Sequence, residues 1–238
     1  MPWSARSQRL EVIDEKGRSE QGTAISTEMI PVRDLTIGAW LESLASSSAA
    51  PGGGAAAALN AAVGAALIEM VCNLTIGRPR YAQHDADMRA TLAEATKLRH
   101  RALALAAEDA KAYGAVGQRL LLPKETDAQQ QARTEQIQRA LVVATDVPLD
   151  TAMVASEIIQ LTQKIVDGTN VNVLADLAAA TASARAALEA ALISVEANLA
   201  AIGDHRRYEE FIERMAAVSW LSTEAERTVA RIRSKLTR

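Results

Sequence analysis

Phenylalanine occurs once in the 238-residue chain, cysteine occurs once, and aromatic residues amount to 3%. Sheet proteins fill their pleated faces with aromatic and β-branched side chains, so this scarcity argues against a sandwich or barrel. A single cysteine, Cys72, excludes an intrachain disulfide and any Cys-rich zinc site. It lies in an apolar stretch, where a free thiol behaves as a small hydrophobe, and a reducing, cytoplasmic setting is the natural expectation. His84, His100 and His205 stand far apart without paired ligand spacing, so no metal is expected. A basic stripe is also lacking. Net charge is -3, the sequence pI is about 5.7, and the basic stretch from Arg227 to Arg238 is interrupted by Thr, Val, Ile and Leu. That pattern reads as the solvated face of a terminal helix, and no nucleic-acid partner is expected.

What the chain does have is alanine and leucine, within a hydrophobic content of 49%. Alanine has the highest helix propensity and lets helices approach closely. The fold class read from this is all-α, an up-and-down bundle of about six long helices. Residues 1–28 are polar and without period, and are expected to form a disordered N-terminal extension, with translation beginning at Met29 and one helical domain over 29–238. Helices are expected over Pro31–Leu44, Ala55–Ile76, Gln83–Leu121, Asp127–Val166 with a bend at Pro148, Val171–Ile202 and Tyr208–Leu236. The second is long and apolar enough to span a membrane, but Asn60, Glu69 and Asn73 favour a fully buried core helix, and no membrane partner is expected. Glu69, alone in that run, requires a cationic partner.

Helical spacing singles out two carboxylates. Leu98, Ala102, Leu105, Asp109, Ala112 and Val116 recur at steps of four and three, which places Asp109 in line with a helix–helix seam. Burial there disfavours the charged form and raises the pKa; the alternative is a wet edge beside Glu108 and Lys111. Asn172, Asp176, Ala179, Ser183, Ala186, Ala190 and Ile193 step in the same way, and Asp176 faces either a seam of small residues or simply the favourable first turns of its helix. Gly52, Gly53 and Gly54 precede a helix whose free N–H groups could cradle an anion, although glycines often open helices without any ligand. Arg78 and Arg80 beside Tyr81 suit carboxylate or flat-ring recognition; a solvated turn explains them equally.

The run Leu44–Leu59, with its Ser46-Ser47-Ser48-Ala49-Ala50-Pro51-Gly52-Gly53-Gly54 centre, resembles the opening signature of the formiminotransferase-cyclodeaminase family. Asn73-Leu74-Thr75-Ile76-Gly77 followed by Tyr81, Asp109-Ala110-Lys111-Ala112-Tyr113, Leu122-Pro123-Lys124, Ala144–Leu149 and Asn172–Asp176 resemble its later blocks, in order. The resemblance implies a homodimeric helical enzyme of one-carbon metabolism that acts on a tetrahydrofolate derivative and needs no cofactor. Met70–Asn73 and Ala144–Leu149 look most like the stand-alone cyclohydrolases, which open 5,10-methenyltetrahydrofolate to 10-formyltetrahydrofolate. A cyclodeaminase releasing ammonia, or a non-catalytic folate-binding dimer, are the alternatives. Carried onto this chain, the resemblance makes Asp109 and Asp176 the catalytic candidates. Gly52, Gly53, Gly54, Asn73, Arg78, Arg80, Tyr81, Lys124 and Asn172 become the substrate-binding candidates. Glu69, Ser194 and Glu196 depart from the family pattern.

Overall fold

The computed structural model describes residues 32–237, so the expected disordered extension at 1–28 lies outside the described residues. Among these residues there is no strand, and the chain forms seven α-helices: α1 Ile37–Ala45, α2 Gly53–Asn73, α3 Asp85–Leu120, α4 Asp127–Ile165, α5 Leu174–Leu199, α6 His205–Ser219 and α7 Leu221–Leu236. The expected order is realised, with the last helix jointed at Trp220 into α6 and α7. α1 begins at Ile37 rather than Pro31, because the Thr36 side chain accepts the Ala39 N–H at 3.2 Å and so starts the helix there. Of its expected apolar side, Trp40 is buried while Leu41 is half exposed.

The helices α2, α3, α4 and α5 pack side by side as an antiparallel bundle, with α6 and α7 against its α4–α5 side. Small residues set the close approach: Gly64 of α2 lies against Ala180 and Ala184 of α5, where an added Cβ would sit 3.1 Å from the Ala180 carbonyl. The core is Ala, Leu, Ile and Val from all four helices. Glu69 finds its cation in Arg99 of α3, with Nε donating at 2.5 Å. α2 is not fully buried, however. Val63 and Met70 are 48% and 37% exposed, because no helix among the described residues covers the side away from α3 and α5.

The helix α4 runs unbroken through Pro148. Proline has no N–H for the carbonyl four residues back, and that carbonyl, Ala144, instead accepts the Asn198 side-chain amide at 2.7 Å. Asn198→Ala should therefore lower stability by about 1–2 kcal/mol, a fall of about 2–8 °C in Tm, because a part-buried acceptor loses its donor. An unchanged melting curve would mean that solvent already reaches Ala144. The basic C-terminus is not merely a solvated face. Arg231 and Lys235 both bind Asp167, Lys235 at 2.6 Å, and fasten α7 to the α4–α5 joint.

Candidate active site

Helix α2 opens without a side-chain cap, since its N-cap is Gly52. Its first N–H groups therefore need an acceptor from elsewhere. Asp109 of α3 supplies one, because its carboxylate accepts the Ala55 N–H. The approach leaves no room for a side chain at residue 54 while Asp109 keeps its place. A methyl group added at Gly54 would lie 2.1 Å from Asp109 Oδ1 and 2.6 Å from Cγ. Of the three glycines, Gly54 alone lies against a carboxylate, and that carboxylate is the protein's own Asp109.

Two opposed effects act on that carboxylate. Burial pushes the Asp109 carboxyl above the usual carboxylate range, and the Ala55 N–H pulls it part of the way back. Burial wins. The result is a carboxyl fixed in position, partly open to solvent and readier to hold a proton than an ordinary aspartate. Such a group can accept a proton from water and return it.

The other candidates are not beside it. Using the contact of Gly64 with Ala180 and Ala184 as a ruler, Gly54 and Asp176 are separated by about 24 Å along the bundle at 1.5 Å per residue. Asp176 is half-buried at the start of α5, and the row it was expected to share is open. Ala179 and Ala186 are exposed and Ile193 is 63% exposed. The buried face of α5 is instead Leu177, Ala180, Thr181, Ala184, Leu188 and Ala191, one step round the helix.

At that same far end Asn73 closes α2, and the turn after it carries Arg78, Arg80 and Tyr81; of these four all but Tyr81 are exposed. Gly77 takes a left-handed φ of 75°, which the turn requires and glycine supplies without strain. The Arg80 guanidinium lies 5.8 Å from the centre of the Tyr81 ring, and the Tyr81 hydroxyl accepts the Val171 N–H at 3.0 Å. Asn170, which sequence reasoning passed over, ties the turn to α5. Its N–H donates to Thr75 Oγ1, its amide nitrogen donates to the Leu74 carbonyl, and its amide oxygen accepts the Asn172 N–H. The signal was present as an Asn two residues before Asn172, at the mouth of a helix. Asn172 is exposed there. Lys124 belongs to neither group. It is exposed in the α3–α4 loop, and α3 continues about 16 Å past Asp109 before reaching it.

Two surface grooves, of about 700 Å³ between α5 and α7 and about 480 Å³ between α3 and α4, contain none of these residues. Ser194 bonds the Ala190 carbonyl within its own helix and Glu196 faces solvent.

Residues 36–217 match the formiminotransferase-cyclodeaminase family. A methenyltetrahydrofolate cyclohydrolase of Methylorubrum extorquens is 40% identical over 84% of this chain and 97% of its own length. A formimidoyltransferase-cyclodeaminase of Rattus norvegicus is 31% identical over 78% of this chain, which corresponds to 34% of the rat protein. The crystal structure of a formiminotetrahydrofolate cyclodeaminase from Thermotoga maritima superposes with a TM-score of 0.78 over 87% of this chain and all of that one, at 22% identity.

Proposed function

The chain belongs to the formiminotransferase-cyclodeaminase family, and on that ground we propose that it hydrolyses 5,10-methenyltetrahydrofolate to 10-formyltetrahydrofolate. The observation that carries the chemistry is the Asp109 carboxyl, raised by burial and held against the N-terminus of α2. The substrate is an amidinium cation whose charge is shared between N5 and N10 across the bridging carbon. Asp109 takes a proton from water as the hydroxyl oxygen bonds to that carbon. The N5–carbon bond then breaks, N5 receives the proton held by Asp109, and the new hydroxyl group releases its own proton as it becomes the formyl oxygen. One water is consumed and one proton is released in each turnover. No redox partner or cofactor enters this balance. Homodimeric assembly and a cytoplasmic location are part of the same reading.

The test is loss of the methenyl chromophore with purified protein near neutral pH, against the buffer-only rate. Protein-dependent loss that disappears in Asp109→Ala supports the assignment. A second reading, ammonia release from 5-formiminotetrahydrofolate, is favoured by the 31% identity to the rat protein. A flat methenyl trace together with ammonia release would replace the first reading with the second.

A further inference from the structure

Tyr113 is the one aromatic residue on α3, and it stands one turn beyond Asp109. In a chain that is 3% aromatic, its side chain is 44% exposed. Among the described residues no cation lies over its ring and nothing bonds its hydroxyl. Residues four apart on a helix share a face, with Cβ atoms about 5–6 Å apart. A long helical side chain leans toward the N-terminus, over the turn before its own, so Tyr113 leans over the turn that holds Asp109. By the same rule the side chain at residue 117 should lean over Tyr113. That residue is Gly117, which has none. Glycine inside a helix is less favourable than alanine, and a neighbour too close for a Cβ is the usual reason for it. Here a Cβ at Gly117 would meet nothing within 4 Å, and neither would one at Gly114. α2 begins at Gly53, and Gly54 is level with Asp109, so the turns of α3 beyond Asp109 have no α2 beside them. A bare aromatic face is thus left next to the carboxyl, just past the N-terminus of α2.

We propose that Tyr113 is the platform on which the flat end of the substrate rests, in the same chain as the Asp109 that acts on it, and that Gly117 keeps this platform clear. This rests on the cyclohydrolase reading above. By ordinary bond lengths the bridging carbon of 5,10-methenyltetrahydrofolate lies about 4 Å from the centre of its pyrimidine ring. With the pyrimidine stacked on Tyr113, the bridge therefore overhangs Asp109. The carboxyl is set deeper than the exposed ring, which leaves the attacking water its place between carboxyl and carbon. The electron-rich face of the tyrosine also favours the cation that the bridge carries.

Tyr113→Leu removes the platform, and Gly117→Leu covers it with a side chain that favours the helix. Each should weaken binding of 5-formyltetrahydrofolate, which has no bridge to open, by about 5–100-fold in calorimetric Kd, the range for one flat ring stacked on an aromatic side chain. With 5,10-methenyltetrahydrofolate the loss should fall on KM and leave kcat nearly unchanged, because the stack is present before and during the reaction. Tyr113→Phe keeps the ring and should bind close to the wild-type value. Gly117→Leu should melt at or above the wild-type Tm, so weaker binding there is not a consequence of lost structure. A wild-type Kd in Tyr113→Leu or Gly117→Leu, or a Tyr113→Phe as weak as Tyr113→Leu, overturns the platform. A wild type that binds the folate without opening the methenyl bridge refutes the cyclohydrolase reading instead, and the series of Kd values still decides the platform. No folate binding by the wild type overturns both.

Discussion

Asp109→Asn folds, retains the Ala55 hydrogen bond through its amide oxygen, and turns over 5,10-methenyltetrahydrofolate about 10²–10⁴-fold more slowly than the wild type. That range is what a positioned general base contributes to such a step. The pH profile carries the same signature. In the free protein burial holds the Asp109 carboxyl above the ordinary aspartate range, so the acid limb of kcat/KM lies above that range and is absent in the asparagine variant. With substrate bound, the amidinium cation favours the carboxylate, and the acid limb of kcat moves to lower pH than that of kcat/KM. Limbs that coincide would place the cation away from Asp109.

Stability moves in the opposite direction to activity. Because the folded pKa is raised, the native state holds this proton more tightly than the unfolded chain does. The stabilisation is fully present below the unfolded pKa and is lost as the pH rises through the folded value. A neutral amide avoids that loss, so Asp109→Asn melts at or above the wild-type Tm at neutral pH, and the gap closes below the ordinary carboxylate range. A lower Tm at pH 7 would show that attraction between the charge and the α2 N-terminus outweighs its burial.

Gly54→Ala separates the site from the fold. Replacing a helical glycine by alanine favours the helix by up to about 1 kcal/mol. Here the new methyl group would meet Asp109 Oδ1 at 2.1 Å, so the carboxylate must give way by more than about 1 Å. Misplacing a catalytic group by about 1 Å costs on the order of 10² in rate. The expected variant keeps its helical circular dichroism and melts within a few degrees of the wild type, yet loses about 10²-fold or more in kcat. Normal turnover would mean that the carboxylate can swing aside, and that its place against α2 is a helix cap without a role in the reaction.

Much of this molecule is legible in its residues. The alanine content and the scarcity of aromatics dictate helices, Thr126 and Gln129 cap α4 reciprocally where its start was expected, and the step of four and three places Asp109 on the face that α2 covers. The same periodicity leaves Asp176 undecided between a seam and the first turns of its helix. Alanine occurs on both sides of α5, so spacing alone does not say which row the bundle buries, and the buried row proved to be the neighbouring one. α2 presents the same difficulty, since a helix that is apolar all round carries no mark of the face left open.

The sequence by itself therefore determined the class of fold, the family, and the residue types available for chemistry, because these depend on local propensity and on short blocks of neighbouring residues. Only the tertiary structure decided which of those residues meet. It brought Asp109 against Gly54 across 55 positions of chain, set Asp176 and Arg78 at the other end of the bundle, and matched Asn198 to the carbonyl that Pro148 leaves free. Such contacts depend on how far each helix runs before it turns and on which face each neighbour covers, and both are fixed by packing between helices rather than by spacing within one.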